Sequence, residues 1–206
     1  MLNFFTVALP LMATVTTNMA TLPENSKSII SMNSQTATTE VVEPEEKPKE
    51  KRLVCKGCNE NESFVLNTLQ DQGILDKNAL ATIMANIKQE SMFVSNICEG
   101  GARVLYHQCR SGGYGAIQWT SSDRYYGLGQ FAAKIGGDPS SLDTQIQYMF
   151  YERDWKMIED GMKTPGKSIN DYMRLAYKWI RWGIKGPREH YANQYLNKFQ
   201  YQTVDS

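Results

Sequence analysis

Three absences narrow what this chain can be. No charge of one sign prevails, since 22 Lys and Arg face 22 Asp and Glu. A balanced chain has no net field to draw it to an anionic surface, and no basic patch of the kind a nucleic-acid binder carries is visible. Long apolar runs are missing too: the greasiest stretch, residues 2–15, is too short to span a bilayer and is interrupted by Pro10. Histidine occurs twice, as His107 and His190, which are far apart and lack metal-spaced partners. That pattern points away from a His-based zinc site, and nothing in the residues indicates a cofactor. No internal repeat divides the chain. What remains is local chemistry on a globular domain, with 41% hydrophobic residues in 206 and eleven tyrosines.

The organisation is uneven. Residues 1–20 form an apolar N-terminal segment. It fits either an export signal, with small residues near Ala20 but no basic residue at its start, or a tail that docks on a partner. Residues 21–59 read as a disordered linker. The run Glu43-Pro-Glu-Glu-Lys-Pro-Lys-Glu-Lys-Arg52 mixes both charges with prolines and offers no apolar face to offset its ordering entropy. Helical periodicity begins near Glu62 and defines a domain over residues 60–202. Phe64, Val65, Leu66 and Leu69 mark a first helix ended by Gly73, and Asp76 caps a second with an apolar stripe through Leu80, Ile83, Met84 and Ile87. Between Cys98 and Trp119 the periodicity gives way to glycines, with short hairpin strands expected. Helices are then expected over 123–135, 141–160, 168–182 (opened by Ser168 and Asp171) and 187–199. The fold class is mainly α, an α+β arrangement with a small β-hairpin or irregular insert after the second helix.

Four cysteines fall into two groups, Cys55 with Cys58 and Cys98 with Cys109. A bridge between Cys98 and Cys109 closing the glycine-rich insert is the expected use. The Cys55-Lys-Gly-Cys58 spacing also matches one zinc knuckle, but the second pair lacks the short spacing that would complete such a site. Reduced thiols remain a third reading.

Two features carry chemistry. Ile83, Ile87 and Glu90 stand at i, i+4 and i+7, on one face of the second helix. The carboxyl is thereby directed toward the core, near a helix C-terminus whose dipole disfavours negative charge. Both effects raise its pKa, as a general acid near neutral pH requires. The competing reading is a Glu at a fraying helix end that turns outward. The second feature is Gly113-Tyr-Gly-Ala-Ile-Gln-Trp-Thr120. There the glycines allow close backbone approach, Gln118 offers both donor and acceptor, and Tyr114 and Trp119 offer flat faces for a sugar ring or, equally, for the core.

Taken together, Ile87-Lys-Gln-Glu90-Ser91-Met-Phe93, a glycine-rich gap and Gly115-Ala-Ile-Gln-Trp-Thr120 resemble the phage tail lysozyme family, within the group that holds goose-type lysozymes and lytic transglycosylases. Asp123-Arg124, Phe131-Ala, Gly136-Gly and Leu142-Asp-Thr-Gln-Ile-Gln-Tyr148-Met-Phe-Tyr-Glu152 continue the likeness, which spans about residues 62–199. The resemblance implies a lysozyme-like fold. The implied reaction is cleavage of the β-1,4 bond between N-acetylmuramic acid and N-acetylglucosamine in peptidoglycan. It makes Glu90 the catalytic acid and Ser91 a neighbour that orients it. Gly115, Ala116, Ile117 and Gln118 become the Gly-x-x-Gln wall of the sugar groove, extended by Trp119 and Thr120, with Tyr114 beside them. Glu99 and Asp123 are the candidates for a second carboxylate; Asp123 also suits an N-cap. Alternatives are a lytic transglycosylase that uses the substrate's N-acetyl group and leaves anhydro ends, and a virion structural or wall-binding protein without catalysis. Trp182-Gly-Ile-Lys-Gly-Pro-Arg188 departs from the family's commoner acidic-proline form and is given no catalytic role, while Tyr172 and Tyr177 are expected in the core. The expected partners are glycan strands and, through the N-terminal tail, a virion or tail protein. The expected place of action is the host periplasm or wall.

Overall fold

A computed structural model describes residues 49–110 and 112–205. The apolar N-terminal segment, and the linker up to residue 48, lie outside the described residues. Those described form a mainly helical domain: β1 (Lys49–Cys55), α1 (Glu60–Asp71), α2 (Lys77–Ser91), a 3-10 turn (Tyr106–Gln108), α3 (Ser122–Ile135), α4 (Leu142–Tyr151), α5 (Arg153–Lys156), α6 (Glu159–Lys163), α7 (Ile169–Ile180), α8 (Arg188–Lys198) and β2 (Phe199–Asp205).

The second helix is the axis of the domain. Every residue from Ala79 to Ile87 is buried, which is the signature of a helix surrounded by others rather than one lying on a core. It packs chiefly against α7 and α8. The Asp76 carboxylate caps it, accepting from Asn78 N at 2.8 Å and Ala79 N at 3.0 Å. By contrast α7 buries one stripe only, Tyr172, Met173, Ala176, Trp179 and Ile180, and opens with a capping box between Ser168 and Asp171. A second capping box, Asn59 with Glu62, starts α1.

Four expectations need correction. The helix expected over 141–160 breaks at Glu152, whose backbone is extended, leaving α4, α5 and α6 as separate pieces. Ser121, not Asp123, is the N-cap residue of α3; Asp123 sits in its first turn. The two-stranded sheet is not the insert. It joins the two ends of the domain, β1 pairing antiparallel with β2 from Lys49↔Asp205 to Cys55↔Phe199. And β1 occupies residues expected in the linker. Within its charged sequence Leu53 is buried, and its N–H and carbonyl are both bonded to the Gln70 side chain, at 2.8 and 2.9 Å.

The insert between α2 and α3 is irregular, held by the isolated bridges Ile97↔Arg103, Cys98↔Tyr114 and Tyr114↔Trp119. Cys98 is bonded to Cys109 across it, and Cys55 is bonded to Cys58. The zinc and free-thiol readings of the first pair are therefore set aside.

Candidate active site

Glu90 lies in the last turn of α2. Beyond it the chain makes a hard turn through two consecutive left-handed residues, Met92 (φ 55°) and Phe93 (φ 63°). Such conformations are costly for residues with a Cβ and persist only where the surroundings impose them. Here the Phe93 ring is buried and Asn61 Nδ2 donates to its carbonyl at 3.0 Å. The other non-glycine residues with positive φ among those described, Gln118 and Arg181, both line the adjoining cleft.

The Glu90 side chain is 15% exposed. Its Oε1 accepts from Arg188 Nη2, and among the described residues it meets no other side-chain donor. Burial pushes the carboxyl above its ordinary range; Arg188, and more weakly Arg124, pull it back without cancelling that effect. The carboxyl is thus turned inward, as its helical spacing predicted, but it faces a cation that the spacing did not predict. Arg188 comes from the start of α8 and is more deeply buried than its partner. Asn86, one turn before Glu90 on the same face of α2, accepts from Arg188 Nε at 2.9 Å. The helical period that placed Glu90 could have found Asn86 as its neighbour. Nothing local to residue 188 announced the pairing.

Ser91 is buried. Its hydroxyl donates to Ala116 O at 2.8 Å and to Ile87 O at 3.2 Å. It therefore ties the end of the acid's helix to the glycine-rich loop and has no surface of its own to offer a ligand. In that loop Gly115 has φ 77°, and a Cβ there would meet the Gln145 amide 2.6 Å away. Gln145, unforeseen as a site residue, is fully buried. It accepts from Ala116 N at 2.8 Å and donates to Ser95 O and Pro139 O, both at 2.8 Å. The side chains of Tyr114, Ala116, Ile117 and Trp119 are all buried. Tyr114 bonds Val104 O and Ser140 Oγ, and Trp119 Nε1 bonds Glu152. Neither ring has a free face for a sugar. Gln118 and Thr120 do reach the surface, and both line a cleft of about 1050 Å³.

Asp123, Arg124, Tyr148 and Glu152 form other parts of that cleft; Glu90 is not among its lining residues, but the cleft residue Arg124 acts on its carboxyl electrostatically, and Ser91 next to it is bonded to the loop. Glu152 is the buried carboxylate of this lining, accepting from Arg124 Nε and Nη2, each at 2.8 Å, and from the indoles of Trp119 and Trp179. Asp154 pairs with Arg181 at 3.0 Å. Of the two candidate second carboxylates, Asp123 is exposed and lines the cleft, whereas Glu99 is exposed and its Oε2 accepts from Gly113 N at 3.1 Å, bracing the insert. A second hollow, about 570 Å³, lies on the Arg188 side and is lined in part by Met173, Tyr177, Trp182 and Glu189. Tyr172 is in the core as expected, but Tyr177 is exposed, packed edge-on against Trp182. His107, in the 3-10 turn, and His190, in α8, are exposed, and no metal-binding cluster occurs among the described residues.

A helical domain whose central helix ends in an inward carboxyl, followed by a disulfide-braced glycine-rich insert, is the arrangement of a lysozyme-like protein. The family model for phage tail lysozyme matches residues 60–199, and the chain belongs to that family. No curated protein matches the sequence. Family membership assigns a lysozyme-like role in degrading peptidoglycan.

Proposed function

We propose that this protein is a muramidase, cleaving the β-1,4 bond between N-acetylmuramic acid and N-acetylglucosamine, with Glu90 as the acid that protonates the departing oxygen. The observation that carries this reading is the Glu90 carboxyl itself: largely buried, raised in pKa by that burial, and placed beside the 113–120 loop. A carboxyl whose hold on its proton is strengthened by burial suits leaving-group protonation, and one of its oxygens is left unengaged by any described residue. Gln118 and Thr120 are the loop residues placed to meet the glycan, while Ser91, Gly115, Ala116, Ile117, Tyr114 and Trp119 build the loop that presents them.

Glu152 and Asp154 are tied up by Arg124 and Arg181, which leaves Asp123 as the carboxylate in the cleft without an ion pair to a described residue. Asp123 is exposed and no ion pair to a described residue fixes it beside Glu90, and a reaction assisted by the substrate's N-acetyl group, the transglycosylase alternative, needs no second carboxylate. Released muropeptides with anhydro ends, lighter by one water, would identify it. We place the protein on the virion, acting on the host wall during infection; two disulfides suit such an oxidising location.

Glu90→Gln tests the assignment. Gln keeps an acceptor oxygen for Arg188, so the variant should fold with a melting temperature close to that of the wild type. Clearing of purified wall suspensions should fall by a factor of about 100 or more. Near-normal clearing by a folded Glu90→Gln protein would overturn the reading, and binding to walls without clearing by the wild type would favour the non-catalytic alternative.

A further inference from the structure

Arg188 takes no part in protonating a leaving group, yet it is the most constrained side chain near the acid. The residue is 2% exposed. Its Nε donates to Asn86 Oδ1 at 2.9 Å, its Nη1 to Lys185 O at 2.7 Å and its Nη2 to Glu90, while the guanidinium lies 4.7 Å from the centre of the Trp182 ring. Burying a cation this completely is costly unless every donor is met. Apolar packing would join α2 to α8 at lower cost. The two acceptors on α2, Asn86 and Glu90, are one helical turn apart, and the planar fork of an arginine spans them where a lysine cannot.

We propose that Arg188 is the positioning residue of the Glu90 acid: its guanidinium holds the carboxyl in one orientation and sets the upper pH at which Glu90 still carries a proton. This rests on the muramidase reading. The clamp has a defined electrostatic setting. On α8, Glu189 next to Arg188 is tied to Lys185 of the preceding segment. On α2 itself, Lys88 lies over the rings of Tyr191 and Tyr195, at 5.0 and 5.4 Å. Arg124 on α3 is held by Glu152. The 113–120 loop brings one ionisable group, Tyr114, whose hydroxyl is bonded to Val104 and Ser140. On α7, Met173 touches Asn86, and the α1 carboxylate Glu62 is bound by the Tyr195 hydroxyl. Arg188 is therefore the cation in direct contact with Glu90 among the described residues.

Glu90 acts as an acid in its protonated form, so activity is lost as pH rises through its pKa. The neighbouring cation favours the carboxylate and lowers that pKa relative to burial alone. Removing the cation moves the alkaline limb of kcat/KM to higher pH.

The test is the pH profile of wall lysis for the full-length wild type, Arg188→Gln and Arg188→Lys, with thermal melts taken alongside. In parallel, the Glu90 carboxyl is titrated by carbon-13 NMR. Arg188→Gln should shift the alkaline limb upward by about one pH unit or more. It should also lower kcat about tenfold with KM little changed, because an acid free to rotate is misplaced in the transition state. Arg188→Lys keeps the charge and loses the fork, so its limb should stay within about half a unit of wild type while kcat still falls. A folded Arg188→Gln protein with the wild-type limb would overturn the proposal, as would Arg188→Lys with wild-type kcat. Should Arg188→Gln fail to fold, Arg188→Lys decides. If the wild type lyses no walls, the muramidase reading fails by itself. The NMR titration then still judges the clamp, which stands if Glu90 titrates higher in the variant and falls if it does not.

Discussion

Two inward-turned carboxylates, Glu152 buried and Glu90 largely so, have opposite surroundings, and the contrast assigns them different work. Glu152 is saturated: both of its oxygens are bound by Arg124, and each also receives an indole N–H. It is a structural pivot, joining α3, α4, α7 and the glycine-rich loop through one side chain. Glu152→Ala would strand a guanidinium and two indole donors away from water. That should lower the unfolding free energy by about 3–5 kcal/mol, the usual cost of breaking one side of a buried ion pair; chemical denaturation reads it, and a loss under 1 kcal/mol would contradict the pivot. Glu90 has a cation on one oxygen only, which leaves room for a substrate. Its inward direction was legible in the sequence because a helix places i, i+4 and i+7 on one face. The roles of Tyr114 and Trp119 were not, because whether an aromatic ring meets solvent is decided by residues far along the chain, here Ser140 and Glu152. Arg188 was invisible for the same reason, since it reaches Glu90 across 98 positions of sequence.

At the scale of elements, the helices were readable and their interruptions were not. Caps at Asp76 and Ser168 and the 3.6-residue stripes of α2 and α7 are local signals. The break at Glu152 is not local; it comes from the side chain being drawn inward by Trp119, Arg124 and Trp179 while the backbone follows. The insert is the element with least regular structure of its own. It stands on isolated bridges, the Cys98–Cys109 bond, the Glu99 brace on Gly113 and the Ser91 hydroxyl. A disulfide closing so short a loop contributes about 2–4 kcal/mol, mostly by restricting the unfolded chain. The double variant Cys98→Ser with Cys109→Ser should therefore melt lower, by several degrees for a domain of this size, and lose wall-clearing rate beyond what its folded fraction explains, because Gln118 and Thr120 are carried by the freed insert. Unchanged melting would show that the bridge braces nothing.

On the scale of the whole molecule, the sheet made by the two ends of the domain decides where the folded unit begins. Strand β1 runs beside β2, so the chain joins and leaves the domain at one edge. Composition placed the start of the domain near residue 60, since β1 is rich in Lys and Glu and strand pairing leaves no trace in charge. Burial places it earlier. Leu53 packs into the core, and Gln70 spends its side-chain amide on the Leu53 backbone. A fragment starting at residue 57 loses that leucine, about 1.5–3 kcal/mol of buried apolar surface. It also leaves the buried Gln70 amide with only its long bond to Leu66 O, at 3.4 Å, a loss of about 1–3 kcal/mol, and strips β2 of its ladder. A fragment starting at residue 45 keeps all three. The longer fragment should match the full-length melting temperature and wall-clearing rate, while the shorter one should unfold well below it. Equal stability of the two would mean that the strand pair hangs on the domain without supporting it, and that α1 to α8 alone hold the acid in place.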